Sequence, residues 1–355
     1  SAQTTGHNEL PACVSFLTAA PVEPRGGLAG ACHVMRSLFH HTRQRLAPIL
    51  VTIATLLSVS QTIAADAERS FVVAPTSATL NGHFARLQLV VSVSSDGKTT
   101  TDRSSDLTRV VSYTSFNTDV VEVSATGRLL ARGNGNTQVE VEWPATKDRG
   151  TEVRLVDVTV AGITPQAAIG FRQHVNPILS KHGCNMGACH AAQYGKGGFK
   201  LSVFGYDPGL DRKSIIRDRH QRRVNLVDPA ESLFLRKPTM QVPHGGGLRL
   251  ARESVDHDIL VAWLLGGAPD SNGKAYEVTR LEVFPRRRVG HVGTTQQLRV
   301  IAHYNDKSTR DVTAWAKYDS MDESILDVAE SGLVTASGQG QAPVMIRFGS
   351  QAEIS

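Results

Sequence analysis

The chain contains one β-rich pattern twice, at a constant offset of 205 positions. The matching residues are Tyr113 and Tyr318, Ser115 and Ser320, and three pairs of glycines, Gly127 and Gly332, Gly133 and Gly338, Gly135 and Gly340. A repeat of this length indicates two copies of one structural unit. In both copies short runs of Val, Leu and Thr alternate with polar turns, which is typical of small all-β domains. The sequence therefore predicts β-rich units over residues 68–163 and 277–355.

The first copy is expected to form a β-sandwich of about 90 residues. Its predicted strands are Phe71–Val73, Leu87–Val93, Val110–Thr114, Val120–Val123, Val139–Val141 and Leu155–Val160. The second copy reaches Ser355 before a counterpart of the last of these strands. We therefore expect the chain to be the front part of a longer protein with further domains.

Residues 35–67 have the pattern of a secretory signal peptide. Arginines precede an uncharged apolar run, Leu46–Ser58, and small residues follow it. The run is shorter than the roughly 20 residues that a membrane-spanning helix needs, and an uncleaved anchor is the alternative. Residues 1–34 are interpreted as an upstream extension that is not native. Without them the exported chain loses Cys13 and Cys32 and keeps two cysteines.

Between the repeats, over residues 164–272, the hydrophobic period changes to that of helices. One apolar stripe predicts a helix over residues 165–181. A second stripe predicts a helix from Val255 to Leu264 that ends at Gly266. We expect Phe171 and Trp263 to pack these two helices together.

Cys184 and Cys189, with His190 directly after them, are the residues whose types point to a particular chemistry. Two thiols can add to the vinyl groups of a haem while an adjacent imidazole binds the iron. The usual motif has two residues between the cysteines, and here there are four. Zinc and a disulfide are the alternatives, although zinc prefers a second pair of ligands elsewhere and a disulfide across so short a loop stabilises little.

Donors for the far side of a haem iron occur before the second helix, at Met240 and His244. A thioether would raise the reduction potential relative to a second imidazole. Composition alone favours neither residue. Phe199, Phe204 and Tyr206 are the candidate walls of a haem pocket.

Longer strings carry two resemblances. The repeats resemble bacterial immunoglobulin-like domains of group 2, on VEVSATGRLLARGNG (121–135) and LDVAESGLVTASGQG (326–340). The middle residues, 168–269, resemble the cytochrome c-like domain of large exported planctomycete proteins. That resemblance is carried by GCNMGACH (183–190), GGFKLSVFGYDP (197–208) and VPHGGG (242–247). In that family the wider cysteine spacing is usual.

These resemblances imply two all-β immunoglobulin-like sandwiches flanking a mostly α cytochrome c-like domain. They imply one haem c, attached covalently through Cys184 and Cys189, with His190 as the proximal iron ligand. They favour His244 over Met240 as the distal ligand.

We expect an exported electron-transfer protein, periplasmic or on the cell surface, in which the repeats are spacer or adhesion modules. The formal net charge is only +5 and no basic stripe carries interleaved aromatic residues, so no nucleic-acid partner is expected. The expected partners are a redox protein of unknown identity and a cell-surface or polysaccharide contact, with no membrane span in the mature chain. No hydrolase constellation is evident, and catalysis is expected only in domains beyond Ser355. The alternative is an adhesion or polysaccharide-binding protein whose cysteines form a disulfide or a zinc site.

Overall fold

The computed structural model describes residues 70–165, 169–270 and 277–355. The predicted signal peptide, the upstream extension, Cys13 and Cys32 lie outside these residues. Strands make up 33% of the described chain and helices 15%. The described protein is therefore mostly β, with its strands divided among several small sheets.

The first repeat forms three small sheets instead of the expected two-sheet sandwich. Its strands are β1 Ser70–Ala74, β2 Ser77–Asn81, β3 Arg86–Gln88, β4 Val90–Ser94, β5 Ser112–Ser115, β6 Val121–Val123, β7 Arg128–Ala131, β8 Gly135–Trp143 and β9 Glu152–Ala161. The sheets have the orders β1-β4, β2-β9-β8-β5 and β3-β7-β6. Only the β2-β9 pair is parallel among these strands.

The division into small sheets has a local cause at Leu89. The predicted continuous strand Leu87–Val93 is split there, because the Leu89 N–H donates to the Gly127 carbonyl at 2.8 Å. The residues before Leu89 pair with β7 and the residues after it pair with β1. A chain that changes sheets in this way makes a corner between layers. The predicted strands Val139–Val141 and Leu155–Val160 are confirmed as parts of β8 and β9.

The second repeat has the same number of strands and also three sheets. Its strands are β10 Val278–Phe284, β11 Thr295–Gln297, β12 Arg299–Tyr304, β13 Thr309–Asp311, β14 Lys317–Ser320, β15 Leu326–Val328, β16 Leu333–Ala336, β17 Val344–Phe348 and β18 Gln351–Ile354. The sheet orders are β10-β12-β13, β11-β16-β15 and β14-β17-β18. The expectation that this copy lacks a final strand is wrong, because β18 pairs antiparallel with β17 as β9 pairs with β8.

A tyrosine and a glycine explain why the repeat is visible in the sequence. The Tyr113 hydroxyl donates to the Thr108 carbonyl at 2.9 Å, and the Tyr318 hydroxyl donates to the Thr313 carbonyl at the same distance. A Cβ added at Gly127, where φ is +73°, would lie 2.7 Å from the Tyr113 hydroxyl. The glycine therefore makes room for the tyrosine, and the same packing recurs 205 residues later.

The two repeats contact each other through a reciprocal pair of hydrogen bonds. The Gln88 N–H of β3 donates to Asp311 Oδ2 at 3.1 Å, and the Gln297 N–H of β11 donates to Asp106 Oδ2 at 2.6 Å. Asp106 and Asp311 are themselves related by the repeat offset. The repeats are thus paired about an approximate two-fold axis, like the subunits of an isologous dimer.

The middle segment, residues 169–270, contains short helices joined by turns. They are a π-helical turn at Phe171–Val175, α1 Asn176–Lys181, a 3-10 turn at Val203–Gly205, α2 Pro208–Ile216, a second 3-10 turn at Pro229–Glu231, α3 Leu233–Arg236 and α4 Val255–Leu265. The prediction of a mostly α domain is wrong. Five glycines between α1 and α2 adopt positive φ, and glycine at such positions favours turns over helix.

The first predicted helix is shorter than expected and begins at Phe171, the second is confirmed as α4, and the packing between them is confirmed. The rings of Phe171 and Trp263 are 5.5 Å apart, and both side chains are fully buried. Helix α4 starts at Ser254, whose hydroxyl accepts a hydrogen bond from the His257 N–H, as an N-cap does. The core around Trp263 continues into the second repeat without interruption, whereas the first repeat has a core of its own.

Among the described residues, no helix is long and apolar enough to cross a membrane.

Candidate functional site

The middle segment encloses a cavity of about 510 Å³. Its apolar walls come from the helices and from the turn after α1: Ile178, Leu179, Phe199, Leu233, Phe234, Leu250 and Leu260. Cys184, His182, His190 and His244 also line it. A mostly apolar cavity with a few convergent polar groups is the usual form of a cofactor or ligand site.

His190 and His244 face each other in this cavity. Their ring centroids are 6.3 Å apart and the ring planes differ by 18°. His190 Nδ1 lies 3.0 Å from the Phe199 carbonyl oxygen, and His244 Nδ1 lies 2.8 Å from that of Gly247. A carbonyl only accepts, so each Nδ1 carries the hydrogen and each Nε2 of the neutral ring keeps its lone pair. This is the arrangement that orients histidine for metal binding.

Gly246 and Gly247 fix the orientation of the His244 ring. A Cβ added at Gly246 would lie 2.9 Å from His244 Cε1, which is closer than such atoms approach each other. Gly247, whose carbonyl receives the histidine hydrogen bond, has a φ of +74°. The string after His244 therefore fixes the orientation of its ring.

Burial sets the protonation state of two groups in the cavity. It lowers the pKa of His190, and the nearby His244 adds to the lowering, which the hydrogen bond to Phe199 opposes. Burial also raises the pKa of the Cys184 thiol to about 12. At neutral pH burial therefore favours the neutral form of the His190 imidazole and the protonated form of the Cys184 thiol, which is the unreactive state of a thiol nucleophile.

The predicted cysteine motif forms a compact turn. The Cys189 N–H donates to the Met186 carbonyl at 2.9 Å, and the His190 N–H donates to the Cys184 carbonyl at 3.0 Å. The four intervening residues are therefore folded back, and His190 follows the turn directly. Both cysteines are half-buried free thiols. Cys184 lines the cavity, whereas Cys189 is not among the lining residues.

The polar part of the cavity wall is cationic. Its lining residues include no Asp or Glu. The cations are Lys196, Arg219, Arg222, Arg223, Lys237 and Arg249. A cavity with this charge suits a ligand that carries carboxylates or phosphates.

Of the other predicted site residues, Phe199 lies in the cavity wall and the remaining three lie elsewhere. Phe199 lines the cavity, with its ring centroid 4.4 Å from that of His190. The ring of Phe204 lies under the guanidinium of Arg347 in the second repeat, at 5.0 Å. Tyr206 is 88% exposed and Met240 is 48% exposed. Phe204, Tyr206 and Met240 are not among the residues that line the cavity.

The sequence reasoning missed His182 and the buried charges behind it. His182 Nε2 lies 3.0 Å from Asp256 Oδ2, and Asp256 Oδ1 accepts from Arg86 at 2.7 Å. Arg86 belongs to the first repeat and Asp256 to α4, so this chain of contacts connects the repeat to the cavity wall. Arg223, within the run of arginines over residues 217–223, is a further residue of the cavity wall that the sequence pattern does not single out.

No protein-family model matches the chain, and no curated protein matches it. Among solved structures, the chain is similar to the surface-layer protein SbsC. The crystal structure of rSbsC(31–844) and the structure of its domains 1–6 each share 8% identity at a TM-score of 0.19, over 75% of this chain and 22% of theirs. Domains 4–9 share 11% identity at a TM-score of 0.28, over 80% of this chain and 30% of theirs. The chain thus spans less than a third of each.

Two expectations are corrected by these findings. The identification with exported cytochrome c-like proteins is wrong, because the described chain is mostly β with little helix. The description of the chain as a metal-binding cytochrome c is wrong as well. No group of three or more His, Cys, Asp or Glu in the described residues is placed to hold a metal ion.

Proposed function

We propose that the cavity of the middle segment holds one haem, and that this haem transfers electrons in a β-rich protein outside the helical cytochrome c-like fold. The opposed imidazoles of His190 and His244 carry the proposal. Imidazoles bind metals through bonds of about 2 Å, so two rings whose centroids are 6.3 Å apart are near enough for both to bind one iron.

A haem needs fewer protein donors than a bare metal ion. The porphyrin supplies four of the iron's bonds, so two imidazoles complete its coordination. A zinc site would need three or four donors, and no such group occurs in the described part of the chain. The residues of the cavity therefore fit a haem better than they fit zinc.

The residues of the cavity would have separate roles in holding the haem. His190 and His244 would bind the iron, and the carbonyls of Phe199 and Gly247 hold their rings in place. Cys184 and Cys189 would attach the haem through thioethers. The arginines and lysines of the wall would pair with the two haem carboxylates, and the apolar walls would exclude water. A haem so held supplies one-electron redox chemistry, at a potential set by its two imidazoles and its burial.

Export and a place at the cell surface belong to the same proposal. The apolar segment within residues 35–67 supports export, and covalent haem attachment suits an exported protein with two remaining cysteines. The paired repeats would present the haem-bearing segment, and their own surfaces would serve as spacer or adhesion modules.

The experiment is exported expression of the chain together with haem-attachment proteins, followed by denaturation and a pyridine haemochrome spectrum. We expect haem to stay bound after denaturation in the unsubstituted protein and to be lost in the Cys184→Ala, Cys189→Ala double variant. His190→Ala and His244→Ala should each change the visible spectrum, whereas His291→Ala, at an exposed position, should not. A colourless, folded protein would reject the haem and favour adhesion with a disulfide at the cysteines.

A further inference from the structure

An exposed basic loop, residues 217–222, lies beside the mouth of the cavity. Arg217, Arg219, His220 and Arg222 are all exposed. In the described part of the chain, none of these arginines has a carboxylate within 4 Å. Arg219 and Arg222 also line the cavity, so the loop and the cavity share one wall.

The backbone of this loop is strained and is held in that state. Arg219, His220 and Gln221 have φ values of +57°, +57° and +62°. Residues other than glycine rarely adopt this left-handed conformation, because their Cβ lies too close to the following carbonyl oxygen. Strain of this kind persists only when the surrounding structure fixes it, and it concentrates at functional sites.

The buried Arg223 fixes the loop to the cavity wall. Its guanidinium donates to the Ser214 carbonyl at 2.8 Å and to the Gly198 carbonyl at 3.0 Å. It also lies over the Phe199 ring, 4.6 Å from the centroid. The loop is therefore attached to the same phenylalanine that packs against His190.

The positive charge around the cavity exceeds what a haem can neutralise. Six cationic side chains line the cavity and no acidic ones do, whereas a haem has two carboxylates. Leu226 and Val227, which follow the loop along the chain, are exposed apolar side chains, at 43% and 95%. A basic rim beside exposed apolar residues has the composition of a protein-docking surface.

We infer that loop 217–222 and the adjacent Leu226 and Val227 form the docking surface for an acidic face of a partner protein that exchanges electrons with the haem. This inference rests on the proposed function. Attraction between opposite charges would bring the partner to the cavity mouth, where the distance for electron transfer is shortest, and would raise the association rate at low salt.

The test uses the haem-loaded full chain and a fluorescein-labelled decaglutamate peptide, with binding measured by fluorescence anisotropy at low salt. The loop variant is Arg217→Ser, Arg219→Ser, Arg222→Ser. The control variant, Arg103→Ser, Arg286→Ser, Arg287→Ser, removes the same charge from exposed positions in the repeats. We expect the loop variant to weaken binding about tenfold or more and the control to change it less than about twofold.

A second readout uses small oxidants of opposite charge on the reduced protein. The loop variant should react more slowly with anionic ferricyanide and faster with the cationic cobalt tris-phenanthroline complex. Equal weakening of peptide binding in both variants, or no weakening in the loop variant, would overturn the inference. Tighter binding of a ten-residue oligothymidylate than of the peptide, through the same loop, would overturn the choice of a protein partner.

Failure of the proposed function would be recognised separately. The haem content of each variant is read from its absorption spectrum before the binding measurement. Unchanged peptide binding in a loop variant with full haem content contradicts only the docking inference, and haem-free protein in every preparation contradicts the proposed function itself.

Discussion

At the scale of single residues, the most informative feature is the pair of Nδ1 hydrogen bonds that orient His190 and His244. Both use backbone carbonyls as acceptors, so the rings are fixed by the fold and not by other side chains. Sequence reasoning identified both histidines. It could not give their separation, because nothing in the sequence places the turn after α1 opposite the loop before α4.

The glycine next to His244 provides a test at this scale. Gly246→Ala would place a Cβ 2.9 Å from His244 Cε1 and push the ring away from His190. We expect the variant to keep its covalent haem but to lose the spectrum of iron with two imidazole ligands, as seen by visible absorption. The matched control is Gly187→Ala, where an added Cβ has no neighbour within 4 Å. Identical spectra for Gly246→Ala and the unsubstituted protein would show that the ring is not held as described.

At the scale of elements, the buried chain of Arg86, Asp256 and His182 joins the first repeat, α4 and α1. Burial alone would raise the pKa of Asp256, but the hydrogen bonds from His182 and Arg86 and their charges lower it to about 2. The sequence offers no signal for this contact, because Arg86 and Asp256 are 170 residues apart.

Asp256→Asn removes the charge that compensates Arg86. Breaking a buried ion pair by losing one partner costs about 3–5 kcal/mol of unfolding free energy. Asp258→Asn is the control, since this neighbour on the same helix is exposed and has only a 3.9 Å contact with His257. Chemical denaturation should show the large loss for Asp256→Asn alone. Losses below about 1 kcal/mol, as for a surface pair, would contradict the buried link.

The same carboxyl gives a pH dependence with a defined sign. A pKa lowered on folding means that the stabilisation is present above the unfolded value, 3.8, and is lost as pH falls towards about 2. The difference in unfolding free energy between the unsubstituted protein and Asp256→Asn should therefore shrink between pH 4 and pH 2. A difference that stays constant over this range would contradict the assigned pKa.

At the scale of the whole molecule, the repeats are paired with each other and packed on the middle segment. The sequence predicted that there are two copies, because Tyr113 and Gly127 recur with their packing intact. It did not predict the pairing, since a backbone N–H that donates to a carboxylate more than 190 residues away leaves no local pattern. It also led to the wrong fold class for the middle segment, because a helix near each end was interpreted as part of a mostly α domain although glycine turns lie between them.

The reciprocal contact can be tested with near-isosteric changes. Asp106→Asn together with Asp311→Asn would replace each carboxylate acceptor of the Gln297 and Gln88 N–H groups by a weaker neutral amide oxygen, and would remove the Asp311 ion pair with Arg299. A hydrogen bond to a charged group contributes about 1.5–3 kcal/mol against about 1 kcal/mol for a neutral one, so stability should fall. We expect a lower midpoint in calorimetry and separate unfolding transitions for the two repeats. Asp119→Asn with Asp148→Asn, both exposed, is the control, and equal effects of the two double variants would contradict a specific pairing.

The central claim is that His190 and His244 bind one metal between them. Low-temperature electron paramagnetic resonance of the oxidised, exported protein tests it most directly. We expect a low-spin ferric signal from iron with two imidazole ligands. In His244→Ala this signal should be replaced by a high-spin ferric signal. A high-spin signal in the unsubstituted protein, or no ferric signal in folded protein expressed with haem-attachment proteins, would contradict it.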